Sequence, residues 1–192
     1  MNRERIKRIT LISLFSAIAF LLMLLEFPVP LIPSFIELDF SEFPELAASF
    51  IAGPVDGVLV CLFKNLLHLT VSKTGGVGEL ANFIIGASFV FPAGLIYRKK
   101  PTFGSSVTGC IVGGLVACLL SYPVNYYITY PVYTKFLPME QILQMYRDIL
   151  PSVNTLGQAL FVFNVPFTFV KCLLVSIINL LCYKKLEILY KK

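Results

Sequence analysis

Two lysines stand where lysines are costly. Lys171 follows twenty-two uncharged residues (149–170) and precedes twelve more (172–183), and Lys64 sits midway along the apolar stretch 58–71. An ammonium at bilayer depth costs on the order of 3 kcal/mol and usually serves a ligand or ion path. An internal ion pair, with Glu79 or Glu45 as partner, or snorkelling to the interface would account for either lysine equally well. His68, one turn beyond Lys64, has no second ligand-type residue at metal spacing, so it reads as a helix-packing residue and no metal site is expected. Asn125 and Asn164 are amides in apolar stretches interrupted by proline, where they either join helices or meet a ligand.

Around these residues lie aromatics: Phe35, Phe40, Phe43 and the tyrosines between Tyr122 and Tyr133. An interfacial belt explains that composition, and so does a planar hydrogen-bonding ligand that needs stacking partners. Ser13 and Ala17, with Ser16 and Ala19 beside them, form a small-residue strip that allows close helix approach, within the fold or against a membrane partner. The run Gly75-Gly76-Val77-Gly78 precedes a helix, but no strand leads into it and no Gly-Lys-Ser/Thr follows, so it is not a P-loop. No HExxH, GxSxG or DxxD-type cluster supports a membrane enzyme. The five cysteines have neither CxxC nor Cys/His spacing and read as small buried apolar side chains.

The elements that position these residues follow from composition. The chain is 57% hydrophobic and 14% charged, with a mean hydropathy of +0.80. A soluble domain carries about 25% charge, so an ordinary soluble enzyme and a disordered chain are both excluded. The class is an all-α integral membrane protein, a single transmembrane domain over residues 1–192. Most basic residues fall in three clusters, at 3–8, 98–100 and 184–192. Each flanks a long apolar run, which indicates a cytoplasmic face rather than a nucleic-acid surface. The N-terminus resembles a signal peptide, but its apolar run ends in Glu26-Phe27-Pro28, which is no small-residue cleavage site, and a retained first helix is expected.

Six transmembrane helices are expected. The first covers about 9–27 and the second is an abbreviated element within 42–52, broken by Gly53-Pro54. The third covers 58–71 and the fourth 79–97. A long fifth helix, bent at Pro123, fills 101–134, and the sixth, interrupted at Pro166 and Lys171, fills 153–186. A short amphipathic piece is expected around 139–150. With three cytoplasmic clusters, both termini lie inside. The loop 28–41, the glycine turn and the 135–151 connection then share the outer face, where a ligand site would be.

Leu25-Glu26-Phe27-Pro28, Glu37-Leu38-Asp39-Phe40-Ser41, Gly53-Pro54, Lys64-Asn65, the run from Thr74 through Gly78-Glu79-Leu80-Ala81-Asn82-Phe83, and Asn125-Tyr126 together resemble the riboflavin-specific S components of energy-coupling-factor (ECF) vitamin transporters, across about residues 8–185. That resemblance implies a six-helix substrate-binding subunit of the bacterial cell membrane with no enzymatic activity and no cofactor. Riboflavin would be captured as transported ligand beneath the loop joining helices one and two. The partners implied are a transmembrane coupling subunit and two ATP-binding subunits, with lipid around the helices. Docking carries over to Ser13 and Ala17. Asn125 and Lys171 correspond to the isoalloxazine-binding pair, and Leu38, Asp39, Phe40, Glu79, Asn82 and Asn164 complete the expected site, with Asp39, Glu79 and Asn82 nearer the ribityl chain. The readings left beside it are an S component for another vitamin, and a membrane enzyme or structural subunit.

Overall fold

A computed structural model describes the backbone of residues 3–190 and the side chains of residues 3–183. Helix α1 (Arg3–Met23) begins six residues before the expected start at Ile9, because its basic N-terminal turns extend beyond the apolar stretch. It stops four residues earlier than the hydropathy suggests, because Phe27–Pro28 (β1) pairs antiparallel with Glu37–Leu38 (β2) and the chain there is extended. The prolines at 28, 30 and 33 keep the intervening loop out of helix.

Helix α2 (Glu42–Ile51) is indeed abbreviated: ten residues, of which eight are buried, or about 15 Å of rise. Gly53, at φ 118°, and Pro54 at the first helical position turn the chain into α3 (Pro54–His68). Gly75 and Gly76, at φ 64° and 89°, then form the turn before α4 (Val77–Lys99). A left-handed pair of this kind is what glycine permits and other residues resist. Helix α5 (Phe103–Val124) is capped by Thr102, whose hydroxyl accepts from the Ser105 amide. It continues through a π-turn (Asn125–Thr129) into α6 (Tyr130–Tyr133).

The amphipathic piece forms α7 (Met139–Arg147). A last rod comprises α8 (Leu156–Ala159), a second π-turn (Leu160–Asn164) and α9 (Val165–Tyr190). The interruption expected near Pro166 is therefore this π-turn, while Lys171 leaves the helix unbroken. Among the described residues five helices are long and apolar enough to cross a membrane; with α2 they make the six expected hydrophobic elements.

The core runs through α4. Leu46 and Phe50 from α2, Phe89, Val90 and Ala93 from α4, Ala117 from α5 and Val175 from α9 pack into one cluster. Helices α4 and α5 approach closely at Gly109, where a Cβ would lie 2.7 Å from the Ala93 carbonyl oxygen. Outward positions such as Leu21, Leu119, Phe161 and Leu181 are exposed apolar residues suited to lipid. At one end of the bundle Arg8 hydrogen-bonds Asp56 at 2.7 Å, and Arg98 approaches Gly53. The first two basic clusters thus share an end; Lys184 and Lys185 lie outside the described side chains, and Lys191 and Lys192 outside the described residues.

Candidate functional site

At the opposite end a cavity of about 240 Å³ opens between the loop after β1, the glycine turn, and the two rods with π-turns. Both π-turns border it: Asn125 opens the first and Asn164 closes the second. Such turns are rare and concentrate at functional positions. Pro131 and Pro166, each two residues past its turn, supply the local cause, since each removes the backbone donor that would bond a carbonyl inside the turn. Phe35, Phe89, Tyr130, Tyr133 and Phe167 give the cavity aromatic walls.

Placement separates the two lysines. The Lys64 ammonium is fully buried, donates to Ser41 Oγ at 2.8 Å and Asn82 Oδ1 at 3.0 Å, and is ion-paired with Glu45 at 2.6 Å. It is not among the residues that line the cavity. Lys171 lines the cavity and reaches Asp39 at 2.9 Å and Glu42 at 2.6 Å. Among the described residues these are its two partners, which leaves hydrogen-bonding capacity on an ammonium that borders the cavity. Burial pushes the Asp39 carboxyl up, but the ammoniums of Lys171 and Lys64 and donation from Ser41 outweigh it and hold it at about 2.

The amides are partly committed. Asn125 donates one N–H to the Ser121 carbonyl at 2.8 Å, which leaves its second N–H and its oxygen. Asn82 accepts from Lys64 and keeps its NH₂. Asn164 is held by two tyrosines: Tyr146 donates to its Oδ1 at 2.8 Å, and its Nδ2 approaches the Tyr130 hydroxyl at 3.4 Å. Glu79 accepts from Ser72 at 2.9 Å and Thr74 at 3.1 Å and pairs at 2.8 Å with His68, which also lines the cavity. Over the mouth, exposed Lys73 bridges Glu26 at 2.9 Å and Glu37 at 3.6 Å, tying the glycine turn to the first loop. Burial and the neighbouring Glu26 raise the Glu37 carboxyl above its ordinary value despite Lys73.

Of the eight residues expected to contact ligand, Asp39, Glu79, Asn82, Asn125, Asn164 and Lys171 line this cavity. Leu38 and Phe40 do not. Leu38 is spent in the β1–β2 pairing, and the Phe40 ring lies 6.4 Å from that of Phe27. Asp39, expected beside the ribityl chain, lines the cavity and is an ion-pair partner of Lys171. The small-residue strip divides into two faces: Ser16 and Ala19 are buried, Ala19 against Ala48 and Val60, while Ser13 and Ala17 are exposed. Two residues escaped the sequence reading. Glu42 stands in the first turn of α2, where an acidic residue is ordinary, and Tyr146 stands on a short amphipathic helix with no charge anomaly to single it out.

Residues 7–183 match the family model for the substrate-specific component of ECF transporters. The chain is 35% identical over 192 residues to the riboflavin transporter RibU of Staphylococcus aureus (strain TCH60), covering all of this chain and 96% of that one. It is 30% identical over 186 residues to the riboflavin transporter FmnP of Bacillus subtilis (strain 168), covering 95% and 93%. A solved structure described as "Structure and mechanism of the S component of a bacterial ECF transporter" superposes with a TM-score of 0.77 at 35% identity, over 98% of this chain and 99% of that one. With six hydrophobic helices and an aromatic-walled cavity at one end, the chain belongs to the substrate-specific components of the ECF transporters.

Proposed function

We propose that this S component captures riboflavin in the cavity beneath the first loop. The observation that carries the reading is the unspent hydrogen-bonding capacity at the π-turn rods. One N–H of Lys171, and an N–H and the oxygen of Asn125, are uncommitted on side chains that line an aromatic cavity. Isoalloxazine has a flat apolar end for aromatic cover and a uracil-like edge carrying acceptors and one N–H. An ammonium only donates, an amide does both, and the pair suits that edge. Glu79 and Asn82, beside the glycine turn, lie where the ribityl hydroxyls would emerge. The names of the relatives at 35% and 30% identity support the same ligand.

In this reading both termini are cytoplasmic and the cavity faces outward. ATP-driven uptake then depends on a transmembrane coupling subunit and two ATP-binding subunits, docked through the exposed Ser13–Ala17 face. The purified protein tests it. Its absorption spectrum should carry flavin bands, and ligand-stripped protein should quench riboflavin fluorescence with one-to-one stoichiometry. Protein that carries no flavin, binds none, and is instead stabilised by a different vitamin would overturn it.

A further inference from the structure

Tyr130, Tyr146 and Asn164 close a three-membered hydrogen-bond ring at the edge of the cavity. Tyr146 donates to Asn164 Oδ1 at 2.8 Å, and Asn164 Nδ2 points to the Tyr130 hydroxyl at 3.4 Å. The two tyrosine hydroxyls share a short hydrogen bond. Since the Tyr146 proton is spent on Asn164, the Tyr130 proton must go to the Tyr146 oxygen. Each member then donates once and accepts once, and the ring is closed. All three are buried, at 1%, 0% and 7% exposure. A ring of this kind, out of water, orients its members more firmly than isolated bonds do.

The ring also joins elements far apart in the chain. Tyr146 belongs to α7, Tyr130 to α6 and Asn164 to the second π-turn. Phe35 from the first loop stands edge-on to both tyrosines, at 6.5 Å from Tyr130 and 5.7 Å from Tyr146. Of the three, Asn164 and Tyr130 line the cavity and Tyr146 does not.

We infer that Tyr146 is a positioning residue for the ligand: through the ring it holds the plane of the Asn164 amide, so that the hydrogen-bonding capacity the ring leaves on that amide is presented to the ligand at a fixed angle. This rests on reading the cavity as the flavin site. Without the Tyr146 hydroxyl the ring opens, the amide keeps one of its two tyrosine partners, and its plane is held less firmly about its last torsion. The recognition of a flavin carbonyl then weakens although no ligand contact has been removed.

Riboflavin affinity and the near-ultraviolet band of the bound flavin, which responds to hydrogen bonding at the ring carbonyls, should be measured for the parent, Tyr146→Phe, Tyr130→Phe, Asn164→Leu and the Tyr146→Phe/Asn164→Leu pair. Tyr146→Phe is expected to weaken binding about tenfold and to shift the band in the same direction as Asn164→Leu. The double variant should bind no worse than Asn164→Leu alone, because both changes remove one interaction. Tyr130→Phe, which leaves the Tyr146–Asn164 bond intact, should cost less than Tyr146→Phe, and it supplies the comparison with Asn164→Leu if Tyr146→Phe does not fold. Unchanged affinity and band in Tyr146→Phe, losses that multiply in the double variant, or an Asn164→Leu protein that binds like the parent would each overturn the inference while riboflavin binding by the parent still stands. A parent that binds no flavin would remove the underlying reading instead.

Discussion

Replacing Lys171 by methionine keeps the length and apolar volume of the side chain and deletes the charge. The structure makes this more than the loss of a ligand contact, because Asp39 and Glu42 both lean on that ammonium at 2.9 and 2.6 Å, with side chains only 5% and 11% exposed. Breaking a buried ion pair from one side costs about 3–5 kcal/mol, since the remaining charge is left without a partner. For a chain of this size each kcal/mol corresponds to roughly 2–4 °C, so Lys171→Met should lower the melting temperature in detergent by about 6–20 °C. The variant Asp39→Asn/Glu42→Gln/Lys171→Met removes both stranded carboxylates and should recover most of that loss. It should not recover riboflavin affinity. The remaining N–H of Lys171 would still be missing, and an unsatisfied flavin carbonyl costs on the order of 1–3 kcal/mol, or about tenfold to a hundredfold in Kd. Differential scanning fluorimetry and riboflavin titration on the same three proteins separate the two effects. A melting temperature for Lys171→Met within 2 °C of the parent would refute the buried-pair argument. Parental affinity in the triple variant would refute the ligand contact.

Four further outcomes are expected. Glu45→Ala should destabilise strongly, by about 3–5 kcal/mol, because it strands the fully buried Lys64; Glu45→Ala/Lys64→Met should regain much of this in thermal unfolding. The Asp39 carboxyl sits at about 2, below its ordinary 3.8, so its stabilisation of about 2 kcal/mol is complete above the ordinary value and disappears as pH falls toward 2. Unfolding curves should therefore show a parent advantage over Asp39→Asn that is level from pH 8 to 5 and shrinks below pH 4. Large side chains at the exposed Ser13 and Ala17 should abolish uptake in cells while leaving riboflavin binding by the isolated subunit intact; equal loss of both would mark the strip as internal packing. A cysteine placed at Gly76 should react with an impermeant reagent from outside, and a cysteine at the N-terminus should not.

The charged part of the site was legible for an energetic reason. A lysine among twenty-two uncharged neighbours violates the composition of its own segment, and the only physical remedies are partners or a ligand. That logic singled out Lys171 and Lys64 and named Glu45 among the possible partners. It did not choose Glu42 for Lys171, because that contact joins residues 129 apart in sequence and arises only when α2 packs against α9. The fold was legible at a similar level. Glycine and proline marked the breaks at Gly53-Pro54 and Gly75-Gly76 through their allowed φ values. Pro123 and Pro166 announced irregularity, but whether a proline yields a kink or a π-turn depends on packing around it.

Neutral groups left far less trace, and the reason bears on how the site works. Tyr146 and Tyr130 cost nothing in hydropathy until they are buried, at which point each hydroxyl must find a partner. Their partner is each other and Asn164, so the need created by folding is met by the same amide that borders the cavity. Leu38 and Phe40 show the converse. They stand in a segment that resembles its relatives', and yet Leu38, in the β1–β2 pairing, and Phe40, just beyond it, do not border the cavity that Asp39, between them, reaches. Alternation along two extended residues decides this, since neighbouring side chains in such a segment point to opposite faces. What the ligand meets is therefore set twice over. Buried charge dictates which ionic groups must cluster beneath it, and the backbone geometry of one short hairpin and two π-turns decides which neutral groups are left unspent around it.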